Sequence, residues 1–131
     1  MSAMEPFQLE TSDCGGITVI RPLVREITYR NSRAFYQHVR ELVSGLEPFL
    51  VVLDLGDVEV VDSRSLGILV AISNHARQKG GRVAIARPTA PVRELFDLLK
   101  FDQVFSFFPT VAEAAGHLSA APRPVDAGGG S

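Results

Sequence analysis

The stretch Val51–Gly67, V-V-L-D-L-G-D-V-E-V-V-D-S-R-S-L-G, decides the fold. Leu50–Leu53 is an unbroken apolar run rich in β-branched residues, closed by Asp54 and Gly56. A run without polar alternation marks a strand covered on both faces. A short loop follows, and Asp62-Ser63 then stands at the mouth of an apolar helix. The leading N–H groups of a helix lack internal partners and carry partial positive charge, so this position accommodates an anion. A serine there is chemically prepared for a change of charge.

Working outward, the helix predicted from Ser63 to about Lys79 stops at Gly80 and Gly81. Leu66, Ile68, Leu69, Val70, Ala71 and Ile72 are apolar around nearly its whole circumference, while Asn74, His75, Arg77, Gln78 and Lys79 are solvated types. The first turns read either as deeper in the core or as carrying an interaction patch on one side. Upstream, Ser32 is the expected N-cap of a helix whose stripe is Phe35, Val39, Leu42, Val43 and Leu46, ended by Pro48 before the strand Phe49–Leu53. Leu23–Tyr29 reads as loop or edge strand. Phe7–Thr11 and Ile17–Ile20, joined by turn residues Asp13–Gly16, predict an N-terminal hairpin.

Downstream, Arg82–Ala86 is the next strand, and Pro91 opens a helix with the buried stripe Val92, Leu95, Phe96 and Leu99. Val104–Phe108 predicts a last short strand, with Phe105, Phe107 and Phe108 assigned to the core. Thr110 and Glu113 form a capping box for a final helix bearing Val111, Ala114, Ala115 and Leu118. Hairpin followed by alternating helix and strand implies an α/β fold, a mostly parallel sheet with an N-terminal hairpin and about four helices packed against it.

With 131 residues, 46% of them hydrophobic, the chain has material for one core, and residues 1–119 are expected to form a single domain. The tail, residues 120–131, has too little to bury and is expected to be disordered. Thirteen basic and fifteen acidic residues give a net charge of -2 without long blocks of either sign, which argues against nucleic-acid or membrane-surface binding. The N-terminus shows no targeting pattern and no apolar run approaches a bilayer span, so a cytoplasmic protein is expected. Cys14 is the one cysteine and has no internal disulfide partner.

The sequence offers little for catalysis. Neither G-x-G-x-x-G after a strand nor G-x-x-x-x-G-K-[ST] occurs, and His38, His75 and His117 are isolated, so no cofactor and no metal are expected. Ser63 lies in D-S-R-S rather than G-x-S-x-G, and an enzyme is not expected. Asp54 at the end of a central strand invites comparison with a phosphoacceptor receiver domain. That reading needs an acidic pair after the first strand, where Arg21-Pro22-Leu23-Val24-Arg25 stands instead. Asp54 therefore reads as a strand-end or capping carboxylate.

These residues together resemble a known family. Val51–Leu55, the segment V-E-V-V-D-S-R-S-L-G-I-L, the strand G-G-R-V-A-I-A, P-V-R-E-L-F-D-L-L, and F-D-Q-V-F-S-F-F-P-T-V-A-E-A-A are similar to STAS domains, and within them to bacterial anti-sigma factor antagonists. The resemblance spans roughly Phe7 to Leu118. It implies a phosphoacceptor at Ser63, with Ser65 as the alternative, and a partner surface of Asp62, Ser63, Arg64, Ser65 and Leu66. It implies that the unphosphorylated protein binds an anti-sigma factor with serine kinase activity and so releases a sigma factor. Phosphorylation would switch that binding off, and a metal-dependent serine phosphatase would restore it. Where the family has D-S-[ST]-G, this chain has Arg64 and Ser65, so the glycine that admits a close partner backbone is replaced. The family's G-x-L-D turn before the first helix is replaced by Pro22-Leu23-Val24-Arg25-Glu26. The altered corner also fits a constitutive STAS subunit of a transporter or signalling scaffold, in which Ser63 is only a helix N-cap.

Overall fold

A computed structural model describes residues 8–46 and 48–120. Phe7, where the hairpin was expected to begin, lies outside them, as does the expected tail apart from Ala120. The elements run β1 Leu9–Cys14, β2 Ile17–Pro22, β3 Glu26–Ile27, α1 Ser32–Val43, β4 Leu50–Asp54, β5 Val60–Val61, α2 Ser63–Gln78, β6 Arg82–Ala86, α3 Ala90–Leu98, β7 Ser106–Phe108 and α4 Val111–Ala120. The main sheet has the order β1-β2-β4-β6-β7. Only the β1–β2 hairpin is antiparallel; β4 lies parallel between β2 and β6, and β7 pairs parallel with β6. The α/β architecture with its hairpin and four helices is the one the sequence implies.

The apolar run of β4 is explained by what lies on each side. Val51 and Leu53 join Phe35, Val39, Leu66, Leu69, Ile72 and Phe96 in the larger core, against α1, α2 and α3. Val52 faces the other way, with Ala84, Ala86, Ala114, Ala115 and Leu118, under α4. The alanines of β6 and α4 leave little side chain between them, so that helix lies close to the sheet. Phe96, Phe105 and Phe107 meet edge to face, with centroids 5.1 to 6.4 Å apart, and bind the end of the sheet to α3. Phe105 is buried; Phe107 and Phe108 are half-buried, packed against the larger and smaller cores respectively.

Several expectations are corrected locally. Asn31, not Ser32, precedes the first turn of α1, and its side chain makes no cap bond to the helix. Asn31 Oδ1 instead accepts from Thr28 N at 2.9 Å, and Nδ2 donates to the Glu26 carbonyl at 2.9 Å, bracing the incoming loop. Ser32 falls inside the helix and is buried. Leu42 lies outside the buried stripe, exposed to solvent. Glu26–Ile27, from the ambiguous Leu23–Tyr29 segment, pairs parallel with Val60–Val61 in a separate two-stranded sheet. A 3-10 turn, Phe101–Gln103, delays the last strand to Ser106, after Lys100 ends α3 at φ +66°.

Candidate functional site

The corner beyond β4 is built on one carboxylate. Asp62 has extended backbone and caps α2, and its Oδ1 accepts the Ser65 backbone N–H at 2.8 Å. Its second oxygen, Oδ2, accepts the Tyr29 backbone N–H at 2.9 Å and thereby ties the β3–α1 loop to the start of α2. Burial by itself would raise the carboxyl; the Ser65 hydroxyl, the Ser65 and Tyr29 backbone N–H groups and the Arg64 charge outweigh it and hold Asp62 below the ordinary aspartate range. Ser65 Oγ has no partner in hydrogen-bonding geometry among the described residues, so the direct bonds to Asp62 are those of the two backbone N–H groups.

Replacing Asp62 with Ala frees both N–H groups and is expected to cost about 1 to 2 kcal/mol at neutral pH. Because the folded-state pKa is depressed, this contribution is present above the ordinary aspartate value of about 3.9 and is lost as pH falls through the lower folded value. Urea unfolding of wild type and Asp62→Ala at pH 7 and pH 3 should show the gap between them narrowing in acid. An unchanged gap would show that the Asp62 charge contributes nothing.

Ser63 is the first residue of α2 and is exposed, as is Arg64. With Tyr29 and Asp62 they line an open groove of about 430 Å³. Tyr29 is 60% exposed and forms its wall, with the Arg30 guanidinium 5.9 Å from its ring centroid. Val60, also exposed, lies on the adjoining strand β5, so the corner combines a hydroxyl, two charges and apolar surface.

A second carboxylate fixes the neighbouring strand ends. Asp54, 7% exposed at its side chain, receives Arg87 through Nε at 2.9 Å and Nη2 at 3.1 Å, and accepts the Gly56 N–H at 3.0 Å. Arg87 reaches it from a left-handed backbone, φ +54°. Gly56 leaves the space the guanidinium occupies; a Cβ there would collide with it. Asp54 is thus a strand-end carboxylate committed to structure.

A family model of the STAS domain matches residues 8–114 of the chain. The chain belongs to the STAS domain family. A Thermotoga neapolitana protein named "putative anti-sigma factor antagonist" is 30% identical over 92 residues, covering 69% of this chain and 80% of that protein. The crystal structure of an anti-sigma factor antagonist from Mycobacterium paratuberculosis superposes with a TM-score of 0.75 at 24% identity, over 91% of this chain and 99% of that one. The Bacillus cell fate determinant SpoIIAA in its phosphorylated form shares the fold at a TM-score of 0.62 and 18% identity, over 85% of this chain and 97% of that one. No helix among the described residues of this STAS domain is long and apolar enough to cross a membrane.

The predicted site residues separate sharply. Asp62, Ser63 and Arg64 converge on the groove, whereas Ser65 and Leu66 are 0% exposed. Ser65 as an alternative phosphoacceptor is therefore corrected: a wholly buried hydroxyl meets no kinase while the first turn of α2 is intact. Leu66, and Ser65 with it, lie beneath the corner and not on its surface. Ser63 is likewise not the N-cap expected under the constitutive reading, since Asp62 fills that role.

Two residues of the corner were not singled out from the sequence. Tyr29 was hidden in an ambiguous segment. Gly67 stands one turn after Ser63, on the same exposed face of α2, with nothing within 4 Å of where its Cβ would lie. A glycine in a helix costs about 0.5 to 1 kcal/mol relative to alanine, and nothing in the packing requires it.

Proposed function

We propose that this STAS domain is an anti-sigma factor antagonist switched by charge at Ser63. In its unmodified form it docks the Tyr29–Asp62–Ser63–Arg64 corner on an anti-sigma factor that is also a serine kinase, and a sigma factor is released. The kinase transfers the γ-phosphoryl group of its bound ATP to Ser63 Oγ, which gives up its proton as ADP leaves; this places about 1.5 to 2 negative charges inside that contact, and the complex separates. A metal-dependent serine phosphatase removes the group and renews binding. The observation that carries this reading is the division of labour at the corner: Ser63 is exposed at the first position of α2, while Asp62 and the buried Ser65 hold the turn that presents it. The domain acts by binding and not by catalysis.

The test is affinity capture from native lysate with wild-type, Ser63→Ala and Ser63→Asp baits. Capture of a kinase-like anti-sigma factor by wild type and Ser63→Ala, and its loss with Ser63→Asp, is the expected outcome. Equal capture of a transporter or scaffold subunit by all three would replace this reading with the constitutive one.

Gly67 provides an independent check. Gly67→Ala should raise stability by about 0.5 to 1 kcal/mol, since the position is exposed and unobstructed, and should weaken partner binding. Gly116→Ala, equally unobstructed but in α4, should stabilise without affecting binding. Equal binding by the two variants would remove Gly67 from the contact surface.

A further inference from the structure

We infer that this STAS domain holds a second ligand site, for a small tetrahedral oxyanion, at the amino-terminal edge of its main sheet, separate from the Ser63 corner. A cavity of about 240 Å³ lies there, lined by Ser73 and Arg77 of α2, Arg82 at the start of β6, Ser106 at the start of β7, and His117 of α4 over an apolar floor. No carboxylate lines it among the described residues.

Arg82 is the decisive group. Its Nη2 is buried and has no acceptor among the described residues. A guanidinium keeps its charge at any physiological pH, and a buried donor on a charged group left without an acceptor is an uncommon and costly arrangement. Four other arginines meet that need with a carboxylate: Arg21 pairs with Asp57, Arg25 with Glu59, Arg87 with Asp54 and Arg93 with Asp97. Arg82 Nη2 has no such partner among the described residues, and an anion seated in the cavity would supply one.

The surrounding groups define its chemistry. Two arginines, two serines and a histidine line this one cavity without a carboxylate among them, and planar arginine donors suit the spaced oxygens of phosphate or a phosphate monoester. The Phe108 ring, 4.9 Å from the His117 centroid, holds the imidazole at the wall. The Arg82 backbone is pinned by donation of its N–H to the Phe49 carbonyl at 2.8 Å, so the guanidinium is presented from a fixed strand end.

The site is tested on the full ¹⁵N-labelled chain by titration with inorganic phosphate and, separately, with phosphoserine, using chloride at matched ionic strength as the control. The expected result is saturable shifts at Arg77, Arg82, Ser106 and His117 that leave Tyr29 and Asp62 unmoved. Arg82→Met should weaken binding on the order of tenfold or more, as loss of a charge-assisted hydrogen bond predicts. Arg77→Gln, at an exposed position, should weaken it several-fold and decides the matter if Arg82→Met does not fold. Tighter binding of phosphoserine assigns the site to a monoester, and equal or weaker binding to the free ion. Absence of saturable shifts with both probes, or undiminished binding in the folded variants, overturns the inference whatever the behaviour of Ser63 variants toward a partner.

Discussion

A Ser63→Asp protein is expected to keep its stability and lose its partner. At the first position of α2 an added carboxylate faces unpaired N–H groups and the positive end of the helix, which return about 0.3 to 1 kcal/mol. Unfolding measurements should therefore place the variant within about 0.5 kcal/mol of wild type. Binding is different, because the new charge must shed water in the contact while the Asp62 carboxylate lies beside it, at a cost of several kcal/mol. A net swing of about 3 kcal/mol corresponds to at least a hundredfold loss of affinity. Calorimetric titration of the captured anti-sigma factor with both proteins measures this directly. Affinity within threefold of wild type, with the fold intact, would sink the switch at Ser63.

Gly81→Ala is expected to be the most damaging single-methyl substitution. A Cβ on Gly81 would run into the backbone of Phe49, meeting its carbonyl oxygen, carbonyl carbon and Cα. Neither side can yield easily. Gly81 N donates to the Ala76 carbonyl at 2.8 Å at the end of α2, and the next residue, Arg82, donates to that same Phe49 carbonyl at 2.8 Å. Phe49 is itself fully buried, edge-on to His75 at 5.7 Å. Overpacking against a flexible side chain costs about 1 to 3 kcal/mol, and against fixed backbone the loss should reach 3 kcal/mol or more. For a chain of this size that lowers the melting temperature by more than about 10 °C. A fall of less than 3 °C would mean that the junction of α2 and β6 opens far more readily than its hydrogen bonds suggest.

The contrast between glycines shows what was legible in the sequence and what was not. Gly80 and Gly81 marked the end of α2 from local chemistry alone, and Gly80 does adopt the left-handed conformation, φ +77°. That Gly81 is needed for space depends on Phe49, distant in sequence, and no local pattern reports it. Val51–Leu53 announced a two-faced strand because its periodicity is a direct record of burial. Ser65 was misread for the complementary reason: a serine is read as polar surface, yet its position under the first turn places it with Leu66, Leu69 and Ile72. The Asp54–Arg87 clasp joins residues far apart in the chain, so only the sheet register brings them together. Asn31 displaced Ser32 because bracing the Thr28 loop used its side chain more fully than a helix cap would have.

The double grip of Asp62, holding the Tyr29 loop with one oxygen and the first turn of α2 with the other, bears on the tempo of signalling. Under the switch proposed for Ser63, a corner latched at two points has no slack to store the history of earlier modification, so its output would track phosphate occupancy without hysteresis, and the lifetime of the signal would be set by the proposed kinase and phosphatase.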